Sequence, residues 1–157
     1  PIPTDQAQHE LTHLRILLEC EGACLSIRQG GIDWESRLTA AHHKLSHIEK
    51  RVRGSADHTP LFILWAKAEQ AFHETLISDC GSDVLKATHA MIYQRFRQQV
   101  FNSDKKFVFV AENIEQHQGI LEAALMRDEA LIRSRIYSHL ERNLVFDMPP
   151  ELPKLPY

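Results

Sequence analysis

The sequence predicts an all-α fold, an antiparallel bundle of six to seven helices, and two observations support this prediction. Apolar residues recur at helical spacing along nearly the whole chain, and no segment shows the alternation of a half-buried strand. The connections between these segments are short, which favours antiparallel packing of consecutive helices. With 157 residues, 43% hydrophobic and 25% charged, the chain can form one domain with a substantial core.

The first predicted helix runs from Thr4, a suitable N-cap, to Gln29, where Gly30 and Gly31 end it. Its apolar residues form two separate stripes, so we expect this helix at the centre of the bundle. One stripe contains Leu11, Leu14, Leu18 and Leu25, and the other contains Ile16, Cys20, Cys24 and Ile27.

The next three helices are each predicted from an N-cap residue and a following apolar stripe. The N-cap candidates are Asp33, Thr59 and Ser82, and Pro60 suits the first helical position after Thr59. The three helices are expected over residues 33–53, 60–79 and 82–101.

The last two helices are predicted over residues 106–127 and 128–146, or as one long helix that bends near Asp128. The remaining segment, DMPPELPKLPY, is rich in proline and cannot continue a helix. We therefore expect a helical domain over residues 1–146 and a proline-rich tail over 147–157.

The overall composition excludes several classes of protein. The net charge of −3 and the pI of 6.4 argue against nucleic-acid binding by bulk charge. No apolar run approaches the roughly 18 residues of a membrane span, and no signal peptide is visible. Cys20, Cys24 and Cys80 form no CxxC pair, which is typical of reduced thiols and predicts a cytoplasmic protein.

The chain has ten histidines, and three of them fall on apolar stripes. Glu69 and His73 are four residues apart and therefore share one face of the third helix. His117 and His139 each lie in the middle of an apolar stripe on the last two helices. Three imidazoles and one carboxylate form a suitable ligand set for a divalent transition ion, zinc before nickel.

A simpler interpretation stays open, because a single histidine on an apolar stripe is often a hydrogen-bonded core residue. The pairs His9/His13 and His43/His47 also have the i, i+4 spacing. Most of the histidines outside the three stripes are expected at the solvent-exposed surface.

Three segments resemble a known family. RILLE at residues 15–19, EQAFHETL at 69–76 and the long segment from Glu115 to Asn143 resemble the effector-binding FCD domain of GntR-family transcriptional regulators of the FadR subgroup. The most specific positions are His117, the pair Arg127–Asp128, and His139. The segment DWESRLTAAHHKL resembles members that sense small carboxylates and dicarboxylates of the glutarate type.

The resemblance implies a metal site and an effector site. Metal-containing members bind the ion with an Asp-x-x-x-His pair and two later histidines, which correspond here to Glu69, His73, His117 and His139. Glu69 stands where the family has Asp, so the acid could bind the ion directly or through water. The implied effector contact is Arg15, with Arg95 and Arg97 as further candidates. The alternative for each arginine is a surface charge or a salt bridge, for Arg15 with Glu19.

The resemblance also implies the partners. A small carboxylate or dicarboxylate would be the effector, a second copy of the chain would form a homodimer, and DNA would be bound only by a missing N-terminal winged helix-turn-helix domain. The main alternative is a metal-dependent helical-bundle enzyme acting on a small carboxylate, because bound zinc lowers the pKa of its water. However, no HExxH motif, nucleophile elbow or P-loop is visible. A metal-free helical interaction module is the other alternative.

Overall fold

A computed structural model describes residues 5–54, 59–101 and 110–143, and within these ranges every regular element is helical. The elements are α1 (Asp5–Gln29), α2 (Ile32–Arg53), α3 (Thr59–Leu76), α4 (Asp83–Phe101), α5 (Val110–Met126), α6 (Glu129–Leu140) and a 3-10 helix (Glu141–Asn143). The predicted all-α class is confirmed. The predicted start of the fifth helix at Lys106, the end of the sixth at Phe146 and the proline-rich tail lie outside the described residues.

Of the predicted N-caps, Ser82 is confirmed and Asp33 is wrong, and Asp128 is a cap that was not predicted. The side chains of Ser82 and Asp128 accept hydrogen bonds from the Leu85 and Leu131 backbone amides, at 3.1 and 3.0 Å. The N-cap of α2 is Gly31, not Asp33, because the Gly31 carbonyl already accepts from the Glu35 amide at 3.1 Å. Asp33 therefore lies in the first turn, where its negative charge is favourable.

The third helix ends at Leu76, three residues earlier than predicted. After it, the Ser78 and Cys80 amides bond to the carbonyls of Thr75 and Ile77, three residues back, at 3.1 Å each. These tight turns replace the last predicted turn of α-helix.

The fifth and sixth predicted helices are separate, and the turn between them is a Schellman motif. The Asp128 amide bonds to the Ala123 carbonyl, and the Arg127 amide bonds to the Ala124 carbonyl, at 3.2 and 3.0 Å. Arg127 has φ 57°, the left-handed conformation that glycine usually supplies at this position.

The α1 helix is central, as predicted, and packs against α3, α4 and α6. It runs antiparallel to α6, since the Cys20 and Cys24 thiols contact the carbonyls of Arg133 and Glu129 at 3.8 Å. Of its two predicted stripes, the one with Ile16, Cys20, Cys24 and Ile27 is buried, whereas Leu14 is 38% exposed. The place of the leucines in the core is taken by polar residues, among them Arg15 and Glu19.

The second group of contacts joins α2 to α3 and α5, and α5 to α6. The Trp34 indole donates a hydrogen bond to the Thr75 carbonyl at 3.1 Å, and its ring is fully buried. The two groups of helices meet around Phe72 and His73 of α3, and a cluster of polar side chains lies at this point. None of the described helices combines the length and the hydropathy that a membrane crossing requires.

Candidate metal centre

Glu69, His73, His117 and His139 come together at the junction of α3, α5 and α6. One ligand atom from each residue can be chosen so that all four lie within 4.8 Å of one another. The three imidazoles are buried, and Glu69 is 13% exposed. Their ring centroids lie 5.4 Å apart for His73–His117 and His73–His139, and 4.6 Å for His117–His139. These are the four residues predicted from the sequence.

A separate hydrogen-bond partner fixes the Nδ1 atom of each histidine. His73 Nδ1 lies 2.9 Å from Glu19 Oε2 on α1, and His117 Nδ1 lies 3.1 Å from Glu49 Oε1 on α2. His139 Nδ1 lies 2.7 Å from Gln116 Oε1. Because the Glu19 and Glu49 carboxylates only accept hydrogen bonds, Nδ1 carries the proton in the neutral rings of His73 and His117, and Nε2 keeps a lone pair for a metal ion. His139 Nδ1 also lies 3.5 Å from Arg142 Nη2.

The Nε2 atoms of His73 and His117 are buried and have no hydrogen-bond partner among the described residues. His73 Nε2 does lie 3.0 Å from Glu69 Oε1, but the two atoms are not aligned for a hydrogen bond. Two ligand atoms held about 2.1 Å from one ion at a tetrahedral angle are separated by about 3.4 Å, which lies within the 4.8 Å limit of this cluster. The donor set therefore fits a divalent transition ion, and a buried nitrogen without a partner would otherwise destabilise the core.

The carboxylates around His73 favour a positive charge on its ring, and the Glu69 carboxylate beside it stays ionised. Burial lowers the pKa of His73, but the carboxylates of Glu19 and Glu69 outweigh it and raise this pKa to about 9. Burial likewise opposes ionisation of Glu69, yet His73 and Arg15 hold its pKa at about 2. The pKa of His139 is well below its usual value because of burial and the nearby His117, so this ring stays neutral.

The three predicted effector-binding arginines have different positions. Arg15 is 1% exposed; its Nε donates to Glu19 Oε1 at 2.8 Å, and its Nη2 lies 3.7 Å from Glu69 Oε1. Arg15 therefore makes the salt bridge of the simpler interpretation and also lies beside the cluster. Arg97 is partly buried and donates to Gln70 Oε1. Arg95 is exposed on α4, and within the described residues no contact joins it to the cluster.

Five residues around the cluster were missed by the sequence analysis. Glu19 and Glu49 are fully buried carboxylates, and Glu19 also accepts from His89 Nε2 at 3.0 Å. Both carboxylates have basic residues nearby in the sequence, Arg15 for Glu19 and Lys50 and Arg51 for Glu49. Such pairs are typical of solvent-exposed helix faces, so the local sequence does not indicate that Glu19 and Glu49 are buried. His89 follows Leu85 and precedes Ile92 at helical spacing, a signal that could have identified it. The other two are Gln116 and Tyr93. The Gln116 amide oxygen bonds to His139, and the Tyr93 ring lies beside that of His73.

Most of the remaining histidines lie toward the solvent, as expected. His43 and His47 are exposed on α2, and His9 and His13 are partly exposed on α1. Among the described residues, His42 and His89 are exceptions, and the buried ring of His42 lies 5.8 Å from that of Phe72.

The fold and the cluster define the class of protein to which the chain belongs. Residues 10–142 match the FCD domain family, so the chain is a member of that family, as the sequence segments indicated. The curated relatives of the chain are transcriptional regulators, which argues against the enzymatic alternative.

Two curated relatives agree with this class. The chain is 30% identical over 139 residues to an uncharacterized HTH-type transcriptional regulator, BphR, of Paraburkholderia xenovorans, covering 86% of the chain and 54% of BphR. It is 27% identical over 142 residues to the HTH-type transcriptional repressor GlaR of Escherichia coli, covering 87% of the chain and 62% of GlaR. The chain thus spans little more than half the length of these relatives. No solved structure matches the sequence significantly.

Proposed function

We propose that the chain is the effector-sensing domain of a GntR/FadR-type transcriptional regulator, which binds a small carboxylate or dicarboxylate at a buried divalent ion. Glu69, His73, His117 and His139 would hold the ion, with zinc as the expected metal and nickel as the alternative. The ion would supply positive charge and open coordination positions to the effector.

The observation that carries this proposal is the orientation of the three imidazoles. Each Nδ1 has its own acceptor, on Glu19, Glu49 or Gln116, while the Nε2 atoms of His73 and His117 are buried without a hydrogen-bond partner among the described residues. Three core histidines with ordinary structural roles would not need to share this arrangement.

Arg15 supports the effector part of the proposal. Its guanidinium lies over the Tyr93 ring, with Cζ 4.6 Å from the centroid, and it is close to Glu69. A buried guanidinium beside the ion can bind the second negative group of a dicarboxylate. Arg97 and Arg95 are weaker candidates, because one already bonds to Gln70 and the other is exposed.

The proposal places the chain in a larger protein. A preceding winged helix-turn-helix domain would hold the DNA contacts, this domain would form the homodimer, and the whole regulator would act in the cytoplasm. Binding of the effector would then change the relative position of the two DNA-binding domains.

The first test is the metal content of the purified domain together with its melting temperature. We expect about one ion per chain, a lower melting temperature after chelation, and recovery with zinc. His117→Ala should abolish the binding of the ion, whereas His47→Ala, which removes an exposed histidine of α2, should leave it unchanged. A wild-type protein that holds no ion and responds to neither chelator nor zinc would overturn the metal site.

The second test is a thermal-shift screen of small carboxylates against metal-loaded and metal-free protein. We expect one or more dicarboxylates to raise the melting temperature of the metal-loaded form only. An Arg15→Lys variant that retains the ion should lose most of this shift, because Lys cannot reproduce the planar guanidinium. An equal shift without the metal would contradict a role of the ion in effector binding.

A further inference from the structure

A second polar group, His89 on α4, lies beside the proposed metal centre. Its ring is fully buried, its Nε2 lies 3.0 Å from Glu19 Oε1, and its Nδ1 has no hydrogen-bond partner within the described ranges. Its Nδ1 is therefore a buried polar atom that the proposed metal site does not explain.

The bond to Glu19 determines which hydrogen bonds His89 can make. Glu19 is a carboxylate, since the permanently charged Arg15 bonds to the same side chain at 2.8 Å. A carboxylate only accepts hydrogen bonds, so His89 Nε2 carries the hydrogen. In the neutral ring, Nδ1 is then an acceptor, and it requires a hydrogen-bond donor.

The surroundings of His89 connect it to the proposed effector site. Its ring centroid lies 6.0 Å from that of Tyr93, and the Tyr93 centroid lies 6.4 Å from that of His73. Arg15 packs over the same Tyr93 ring, and Glu19 joins Arg15, His73 and His89. His89 and the metal ligand His73 are thus two partners of one carboxylate, beside the arginine proposed to bind the effector.

We propose that His89 is an effector-binding residue whose Nδ1 accepts a hydrogen bond from a hydroxyl group of the effector, which makes the effector a hydroxy acid. This inference rests on the proposed function and narrows its substrate class. A carboxylate would be held by the ion and Arg15, and the hydroxyl would be read by His89. A binding site with a buried acceptor discriminates against a ligand that lacks the matching donor.

The experiment compares matched acids on the metal-loaded protein. Succinate is paired with malate, and glutarate with 2-hydroxyglutarate, and dissociation constants are measured by calorimetry at pH 8. In the wild type, we expect the hydroxy acid of at least one pair to bind about tenfold more tightly than its partner. In His89→Gln this preference should fall to within about twofold, measured on samples of the variant that carry the same metal content as the wild type.

Glutamine is chosen because it distinguishes the contribution of His89 Nε2 from that of Nδ1. Its amide nitrogen can replace Nε2 as the donor to Glu19, while its amide oxygen, the acceptor that glutamine retains, does not occupy the position of Nδ1. His47→Gln is the matched control and should keep the wild-type preference. If His89→Gln does not fold, the ¹⁵N chemical shift of His89 Nδ1 in the wild type decides, since it should move on addition of the hydroxy acid and not of its partner.

The outcomes distinguish this inference from the function on which it rests. If neither kind of acid binds the metal-loaded wild type, the effector part of the proposed function fails, and the role of His89 fails with it. If dicarboxylates bind but the hydroxyl gives no advantage, only the role of His89 is overturned, and a buried water molecule satisfies Nδ1. The same holds if the preference persists in His89→Gln.

Discussion

At the residue scale, Glu19 is the carboxylate that links the proposed metal ligands to their surroundings. It accepts hydrogen bonds from Arg15, His73 and His89, so one carboxylate connects three helices. Burial opposes its ionisation, but Arg15 and His73 hold the pKa of Glu19 well below its usual value. Glu19 is therefore a charged residue that the core stabilises through its partners.

Glu19→Gln should weaken metal binding by about 10- to 100-fold, because the partner of a ligating imidazole sets its orientation and basicity. The substitution should also lower the free energy of unfolding by about 3 kcal/mol, since Arg15 keeps its buried charge and loses the closer of its two carboxylate partners. Chelator competition and urea unfolding measure the two effects.

Glu21→Gln is the matched control, because Glu21 lies on the same helix and pairs with Arg133 at 3.1 Å on the surface. Its removal should change the free energy of unfolding by less than about 1 kcal/mol. Equal effects of the two substitutions would show that Glu19 does not support the metal site.

The four proposed ligands could be predicted from the sequence, but most of their partners could not. The i, i+4 spacing places Glu69 beside His73, and apolar neighbours mark His117 and His139 as inward-facing. Glu19 and Glu49 have charged sequence neighbours, so their burial depends on which face of each helix packs inward. That information lies in the tertiary contacts and not in local spacing.

At the element scale, the turn between α5 and α6 depends on Arg127. Its left-handed backbone ends α5, while its guanidinium donates to the Ile27 carbonyl at 2.6 Å, in the last turn of α1. The same side chain pairs with Glu35 at 3.1 Å. One residue thus terminates one helix and caps another.

Arg127→Ala should be more destabilising than Arg127→Gly, by about 0.5–1 kcal/mol. Both variants lose the contacts of the guanidinium, but only glycine removes the cost of a side chain at positive φ. Urea unfolding of the two variants and the wild type measures the difference. A more stable alanine variant would contradict the role of the backbone conformation.

A second element-scale feature is the close approach of α1 to the end of α3. A Cβ atom at Gly22 would lie 2.7 Å from Ile77 Cγ2 and 3.1 Å from Leu85 Cδ2. Gly22→Ala should therefore lower the free energy of unfolding by about 1–3 kcal/mol, because α1 must shift away from its neighbours.

Gly119→Ala is the control for Gly22, since Gly119 also lies inside a helix and a Cβ there would come no closer than 3.4 Å to its neighbours, at Arg135 Cδ. We expect this variant to be as stable as the wild type or up to about 1 kcal/mol more stable, because alanine favours a helix over glycine. A Gly22→Ala variant as stable as Gly119→Ala would show that α1 can move away from Ile77 and Leu85 without cost.

The helices were easier to predict than their ends. Periodicity identifies long amphipathic segments. The start of α2, however, is set by the extended backbone of Gly31, although aspartate is the more common N-cap residue. The break between α5 and α6 contains no glycine, so the sequence left open whether Asp128 begins a new helix or bends a longer one.

At the scale of the whole molecule, the proposed ion would join α3, α5 and α6 and should stabilise the fold by mass action. At a free zinc concentration of about one hundred times the dissociation constant, the gain in the free energy of unfolding is about 2.7 kcal/mol. Urea unfolding at a series of buffered zinc concentrations measures this dependence. A midpoint that does not change with zinc would contradict binding to the folded state alone.

The chain order of the residues around the cluster also has a consequence for biosynthesis. Glu19 is near the start of the described chain and His139 near its end, with Glu49, Glu69, His73 and His117 between them. A segment that contains all of these residues must extend from Glu19 to His139. A ribosome must therefore release almost the entire domain before the proposed metal site can form. Loading of the ion would then mark the completion of folding, and a partly synthesised domain would not compete for zinc in the cell.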